Sequence, residues 1–184
     1  MLFDSKSICW YVLFAANGKA TKISDYLKIA DIECFFPVNY REKRIRNSEL
    51  TTYELQPLIR NLVFAKSSKE CLDTHLQEIK LRLGITSDLY YRDLGSREII
   101  VVPETEMRNF ISVASCTRGR ITYLSNEEVN LEKGTKIRII GGAFAGVEGI
   151  FMKVKGHSQV VVSLPNLFSV ATAFIPTRFI LPLE

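Results

Sequence analysis

Residues 141–149 read GGAFAGVEG, four glycines in nine positions. Glycine-rich loops can bring backbone N–H groups close to a phosphate, so nucleotide chemistry is the first question the chain raises. A phosphate-binding P-loop reads GxxxxGK[ST]; its lysine reaches the phosphates and its hydroxyl holds magnesium. Gly141 and Gly146 have that spacing, but Val147 and Glu148 follow. The cation is missing, and a carboxylate stands where it would repel a phosphate. The run after the loop reads as a strand, so no helix N-terminus is offered to an anion. No GxGxxG occurs. The glycines suit instead a tight connection between two strands, where they permit positive φ and close chain approach. Phe144 can plug such a loop onto the body beneath it.

Other reactive residues are sparse. Cys9, Cys34, Cys71 and Cys116 are scattered without CxxC spacing. No metal or other cofactor is expected, and the thiols read as buried and reduced. No nucleophile motif surrounds any Ser, Cys, His or Asp, so an enzyme is not expected. The run REKRIR is different: Arg41, Lys43, Arg44 and Arg46 oppose one Glu42. It could touch nucleic-acid phosphates or form a solvated hairpin tip, and the residues alone leave both open. Lys19 and Lys22, where the first helix starts, carry the same two readings.

Those residues must be positioned by folded elements. The 184-residue chain is 47% hydrophobic and 24% charged, enough for a packed core. Its net charge of +4 permits a nucleic-acid partner without requiring one. No apolar run approaches the ~18 residues of a membrane span, and the first residues lack a basic leader, so a cytoplasmic protein with no membrane partner is expected.

ICWYVLFAA reads as a buried strand. Ile23, Tyr26, Leu27 and Ala30 mark a helix. ECFFPVNYREKRIRN reads as a second strand that turns basic, and YELQPLIRNLVFAKS as a third. Leu72, Leu76, Ile79 and Leu83 form a helical stripe stopped by Gly84. DLYYRDLGSREIIVVP reads as a hairpin turning at Asp93–Ser96, its Tyr90 and Tyr91 able to face the core or to stack on bases. Pro103 opens a third helix at its first position, with Met107, Phe110, Ile111 and Ala114 on one face. After Ser115 the texture becomes polar, with one short strand conceivable. Beyond it TKIRIIGG, VEGIFMKVKG, HSQVVVSLP, SVATAFIP and RFILPLE are five short strands, the content of a small barrel. The fold class is α+β: an antiparallel sheet flanked by helices over residues 1–116, a linker over 117–130, and a small β-barrel over 131–184.

KIRIIGGAFAGVEGIFMKV resembles the KOW motif, a glycine-flanked loop between barrel strands. Gly141, Gly142, Phe144, Gly146 and Gly149 form the motif, with Ala143 where proline is usual. WYVLFA, a helix, FFPV and then PLIRNLVFA resemble the N-terminal domain of NusG-type transcription elongation factors. The family's third strand reads like PLFPxYVFV; Pro57, Leu58, Val63 and Phe64 match, whereas Ile59, Arg60 and Leu62 depart. The tail resembles the specialised UpxY-type paralogues that antiterminate capsular-polysaccharide operons.

The resemblance implies a ferredoxin- or RRM-like N-terminal domain and an SH3-like five-stranded KOW barrel. It implies binding to the β′ clamp helices of bacterial RNA polymerase through Phe14, Ile59, Arg60, Leu62 and Phe64. It implies bridging toward the β subunit, suppressed pausing or termination, contact with exposed DNA or nascent RNA, and recruitment of ribosomal protein S10 or Rho through KOW. The protein would act as a monomer. Without the resemblance Leu62 and Phe64 read as ordinary core in preference to a docking surface. A stand-alone KOW-type RNA-binding or ribosome-associated protein is the competing function; it requires a broad basic face, which the charge balance does not supply.

Overall fold

The computed structural model describes residues 6–15, 18–45, 50–57, 59, 61–89, 98–115, 122–124, 134–154, 157–164, 167–172 and 175–183. The chain divides into two compact units, Met1–Val101 and Val102–Glu184. It is a mixed α/β protein, with helices and sheets in the same chain.

The first unit runs β1 (Cys9–Ala15), α1 (Ala20–Ile29), β2 (Glu33–Phe35), β3 (Val38–Arg44), β4 (Thr51–Pro57), β5 (Leu62–Ser67), α2 (Lys69–Leu83), β6 (Ser87–Leu89) and β7 (Val101–Val102). The main sheet has the order β2-β5-β1-β6, and β7 also pairs with β1. The β2–β5, β5–β1 and β1–β6 pairs are antiparallel.

Two segments expected to be single strands are each divided. The second is cut between Phe35 and Val38, where Pro37 cannot donate to a ladder. The third is cut between Pro57 and Leu62, where Asn61 takes a left-handed φ of 66°. The outer pieces, β3 and β4, pair only with each other in a separate two-stranded sheet. Of the expected hairpin over residues 88–103, the described strands β6 and β7 each pair with β1. Its turn at Asp93–Ser96, and Tyr90 and Tyr91, lie outside the described residues.

Period-two alternation gives the main sheet two faces. Tyr11, Leu13, Val63 and Ala65 pack with Ile23 and Leu27 of α1 and Leu72 and Ile79 of α2. The α2 stripe thus closes the core as its spacing predicts, except that Leu83 is 43% exposed. Ser68 caps α2, its Oγ accepting the Cys71 amide at 3.2 Å, and Gly84 ends it at φ 61°.

The second unit begins with α3 (Glu104–Ala114), followed by β8 (Thr122–Leu124), β9 (Thr135–Ile139), β10 (Glu148–Val154), β11 (His157–Leu164), β12 (Phe168–Ala171) and β13 (Ile180–Pro182). Pro103 is the residue before α3, extended at ψ 146°, so it caps the helix one position earlier than expected. The sheet has the order β13-β9-β10-β11-β12-β8, with every neighbouring pair antiparallel. Five strands were expected. The sixth, β8, comes from the 117–130 segment assigned to the linker, where Leu124 joins Val161 and Ala171 in a buried cluster. The opposite face buries Ile137, Ile139, Val160 and Val162. Met107, Phe110 and Val113 of α3 are fully buried; the helix packs on β11 and β12, with the Phe110 and Phe168 rings edge-to-face at 5.4 Å.

Candidate functional site

The first expected site lies on the sheet face opposite α1 and α2. Antiparallel register sets Phe14 against Leu62 and Val12 against Phe64. Alternation therefore places Phe14, Leu62 and Phe64 on one face, with Trp10 and Val12. Their exposure differs sharply: Phe64 is 0% exposed and Leu62 8%, whereas Phe14 is 40%. The surface this set offers is concentrated at Phe14. Asp88 is its neighbour on β6, and the Ser87 hydroxyl donates to the Phe14 carbonyl at 2.9 Å, fixing the strand there. Ile59 is half-buried in the connection before β5. Arg60, like Leu58, lies outside the described residues. At the other end of the face the Lys66 ammonium sits 5.8 Å from the centre of the Trp10 ring.

The basic run forms the arm of β3 and β4. Arg41 pairs with Glu54 in register, Lys43 with Thr52 and Arg44 with Thr51. Lys43 and Arg44 are exposed, as are Thr51, Thr52 and Tyr53 on the other strand. Arg46 lies outside the described residues. Lys19, immediately before α1, is half-buried and Lys22 is exposed. A cavity of about 400 Å³ joins this helix start to the base of the arm, lined by Gly18, Ala20, Gln56, Pro57 and Asn61. The Gly18 amide donates to Asn61 Oδ1 at 3.2 Å. Among the described residues, the first turn of α1 holds no acidic residue and makes no side-chain cap. The start of α1 thus lies beside the base of the arm, whereas Lys43 and Arg44 stand toward its outer end.

The glycine loop joins β9 to β10. Gly142 and Gly146 have φ of 80° and 90°, which a side chain would disfavour. A Cβ on Gly149 would lie 2.6 Å from the Val161 carbonyl oxygen, so glycine here lets β11 approach. The Gly146 amide donates to the Ile139 carbonyl at 2.7 Å and the Val147 amide to the Phe144 carbonyl at 3.1 Å. These donors serve the loop itself, and Phe144 is 94% buried as its plug. Three successive amides, those of Ala145, Gly146 and Val147, are thus turned inward to carbonyls and not toward an anion.

Two polar arrangements escaped sequence reasoning. Tyr26 of α1 meets His75 and Glu78 of α2: its hydroxyl donates to Glu78 Oε2 at 2.7 Å and lies 3.0 Å from His75 Nδ1. With the phenol proton on Glu78, His75 must donate from Nδ1. Burial, then the Glu78 bond, pushes the phenol up to about 12, and the same bond with Arg82 nearby holds the Glu78 carboxyl below its ordinary value. In the second unit the Asn109 side chain accepts the Glu148 amide at 3.3 Å. Beside it lies a cavity of about 540 Å³ with Ile137, Gly149, Val161 and Leu183 among its lining. The pairing residues in both cases lie far apart in sequence, and no local pattern marks them.

Cys9, Cys34 and Cys71 carry free thiols, and burial pushes the Cys34 thiol up, away from thiolate chemistry. Cys116 lies outside the described residues. No group of three His, Cys, Asp or Glu could hold a metal ion among the described residues, and none of their helices is long and apolar enough to cross a membrane.

Comparison with known proteins gives one family. The model described as "Transcription termination factor nusG" matches residues 8–111. No curated protein matches. A solved structure reported as "Domain interaction in Thermotoga maritima NusG" is similar, with 13% identity, a TM-score of 0.47, and coverage of 98% of this chain and 100% of that one.

Proposed function

The chain belongs to the NusG family, whose match takes in more than half of it, and from that premise we propose that it docks on the β′ clamp helices of RNA polymerase through its first unit. As a family member it is a transcription elongation and antitermination factor, binds RNA polymerase and performs no catalysis. The finer reading keeps the residues assigned above. Phe14, Ile59, Arg60, Leu62 and Phe64 line or support the clamp-helix surface. Lys19, Lys22, Arg41, Lys43, Arg44 and Arg46 attract DNA or nascent RNA. Gly141, Gly142, Phe144, Gly146 and Gly149 shape an SH3-like KOW barrel that recruits ribosomal protein S10 or Rho. The functional division stays 1–116, ferredoxin- or RRM-like, and 131–184, with the connecting 117–130 segment lending β8 to the second unit's sheet and α3 packing within that unit. The protein works in the cytoplasm as an UpxY-like monomer, bridges toward the β subunit, and serves capsular-polysaccharide operons.

The observation that carries the docking surface is Phe14, an exposed aromatic on the face shared with Leu62 and Phe64. An amphipathic helix seats its apolar residues on such an anchor. Burying one large apolar side chain stabilises a complex by roughly 1.5–3 kcal/mol, or about tenfold or more in affinity. Full-length Phe14→Asp should therefore stop co-purifying with the cognate polymerase and lose antitermination on a reporter, while melting close to wild type. A well-folded Phe14→Asp protein that still binds the clamp helices would remove this surface from the site.

A further inference from the structure

The cavity beside α3 is built from two surfaces of the second unit. Register sets Lys136 against Ile150 and Ile150 against Val161, so the three form one row across β9, β10 and β11 on one face of the sheet. The other surface is α3. Asn109 stands three residues after Glu106 and four after Thr105, which places all three on one side of the helix, and all three line the cavity. Its volume of about 540 Å³ lies within the roughly 300–1,000 Å³ of small-molecule sites.

Some polar groups at its edge are satisfied by the protein itself. The Glu148 carboxylate accepts from Arg138 Nε at 2.9 Å, and the Ser163 hydroxyl bonds that of Ser169 at 2.8 Å. Three groups are not. Asn109 is only 7% exposed, and its Oδ1 accepts the Glu148 amide. The other branch of the carboxamide is therefore the Nδ2 donor, which bonds no described residue. Nδ2 is not sealed in, so it keeps an opening to the cavity that Asn109 lines. Lys136 is exposed and Glu106 half-buried, and neither pairs with an opposite charge among the described residues. Over an apolar row of Ile150 and Val161, the cavity thus presents one neutral donor, one cation and one anion.

These leftover groups select a ligand. A purely apolar molecule would cover the Nδ2 donor without giving it a partner. A simple carboxylate would satisfy Asn109 and Lys136 but bring like charge to Glu106. A simple amine would satisfy Glu106 but bring like charge to Lys136 and no acceptor to Asn109. A zwitterion with an apolar tail meets all of them. We infer that this cavity binds a free α-amino acid with an apolar side chain. Lys136 and Asn109 Nδ2 hold its carboxylate, Glu106 holds its ammonium, and its side chain packs on Ile150 and Val161. A residue within a peptide is excluded from this role, because both of its charges are consumed in peptide bonds. The site lies wholly in the second unit and stands apart from the polymerase-docking surface of the first.

The test is isothermal titration calorimetry of the full chain with L-leucine, N-acetyl-L-leucine, L-leucinamide and glycine. Leucine should bind saturably. N-acetyl-leucine lacks the ammonium, leucinamide lacks the carboxylate and glycine lacks the side chain; each should bind about tenfold or more weakly, the scale of one lost contact. Lys136→Met should bring leucine down to the level of leucinamide while keeping the discrimination against N-acetyl-leucine. Glu106→Gln should do the converse. Asn109→Asp keeps an acceptor for the Glu148 amide but removes the donor, and should weaken leucine about tenfold. Lys136 and Glu106 are not buried, so Lys136→Met and Glu106→Gln should melt with the wild type, and they decide the matter should Asn109→Asp prove unstable. Absence of saturable leucine binding overturns the site. Equal affinity for leucine and its two derivatives, or a preference for leucine that survives both Lys136→Met and Glu106→Gln, overturns the zwitterion reading.

Discussion

Two strand-turn-strand pieces of this chain use their residues in opposite ways. The glycine loop between β9 and β10 directs amides to its own carbonyls and buries Phe144. The arm of β3 and β4 forms its own ladder and leaves Lys43, Arg44, Ile45, Leu50 and Tyr53 facing solvent. The loop has the composition usually associated with ligand binding, yet its distinctive residues are consumed by the fold. The arm has no motif, yet Lys43, Arg44, Ile45, Leu50 and Tyr53 stay exposed. What a segment can bind depends on the groups left over after folding, not on how unusual its composition is.

That contrast is broken most directly at the loop. Phe144→Ala should cost about 3 kcal/mol by removing a buried aromatic plug, measured by denaturant unfolding of the full chain. A loss below roughly 1 kcal/mol would mean that the loop collapses around the gap and is not held by its plug. Gly149→Ala should cost somewhat less, about 2 kcal/mol, because the new methyl meets the Val161 carbonyl oxygen at 2.6 Å and must displace backbone. Gly146→Ala has open space around it, and should lose only the roughly 1 kcal/mol of a left-handed conformation. If Gly146→Ala proves worse than Gly149→Ala, backbone strain and not strand approach governs the loop.

The same contrast explains what could be read from the sequence. Helical stripes were legible because their period is local: Ile23 and Leu27, or Leu72 and Ile79, announce α1 and α2 and reach the core as expected. The five apolar segments of the second half became β9 to β13 for the same reason. Strand breaks were not legible, since ECFFPVNYREKRIRN and YELQPLIRNLVFAKS remain strand-like throughout, and only pairing shows that each serves two sheets. The short strand conceivable after Ser115 is there, but its place in a six-stranded sheet was not legible, because only pairing with β12 assigns Thr122–Leu124 to it. At the site, charge clusters were visible as strings, but exposure was not: alternation sets Phe14 and Phe64 on one face without telling that one is 40% and the other 0% exposed. The tip of the arm was visible only in its cations. Ile45 and Leu50 look like core in sequence.

The arm should behave as the loop's converse. Replacing Arg41, Lys43, Arg44 and Arg46 by Ser should leave stability within about 0.5 kcal/mol, as expected of a surface change. Association with an elongation complex should fall about tenfold at low salt and converge with wild type as salt rises, since the lost contribution is screened. Equal loss at every salt concentration would count against phosphate contact. A large drop in melting temperature would show that the arm's cations are spent on the fold, erasing the distinction from the loop.

The smallest effect is expected where the distinction is least clear, at Tyr26, His75 and Glu78. These side chains are half-exposed, yet bond to one another across α1 and α2. The Glu78 carboxyl is held low, so its contribution is present above the ordinary carboxylate range and is lost as pH falls through its folded value. The Tyr26 phenol is raised to about 12, so its contribution is complete below the unfolded value of 10.0 and is lost as pH rises toward 12. Both limbs pass through one hydrogen bond. Tyr26→Phe removes its donor while keeping the ring, and should lower the melting temperature slightly near neutral pH. It should also flatten the dependence on both sides, so that the two curves converge in acid and again in strong base. Melts of both proteins from pH 3 to 11 measure this. Parallel curves, offset equally at every pH, would show that neither limb passes through the bond between Tyr26 and Glu78.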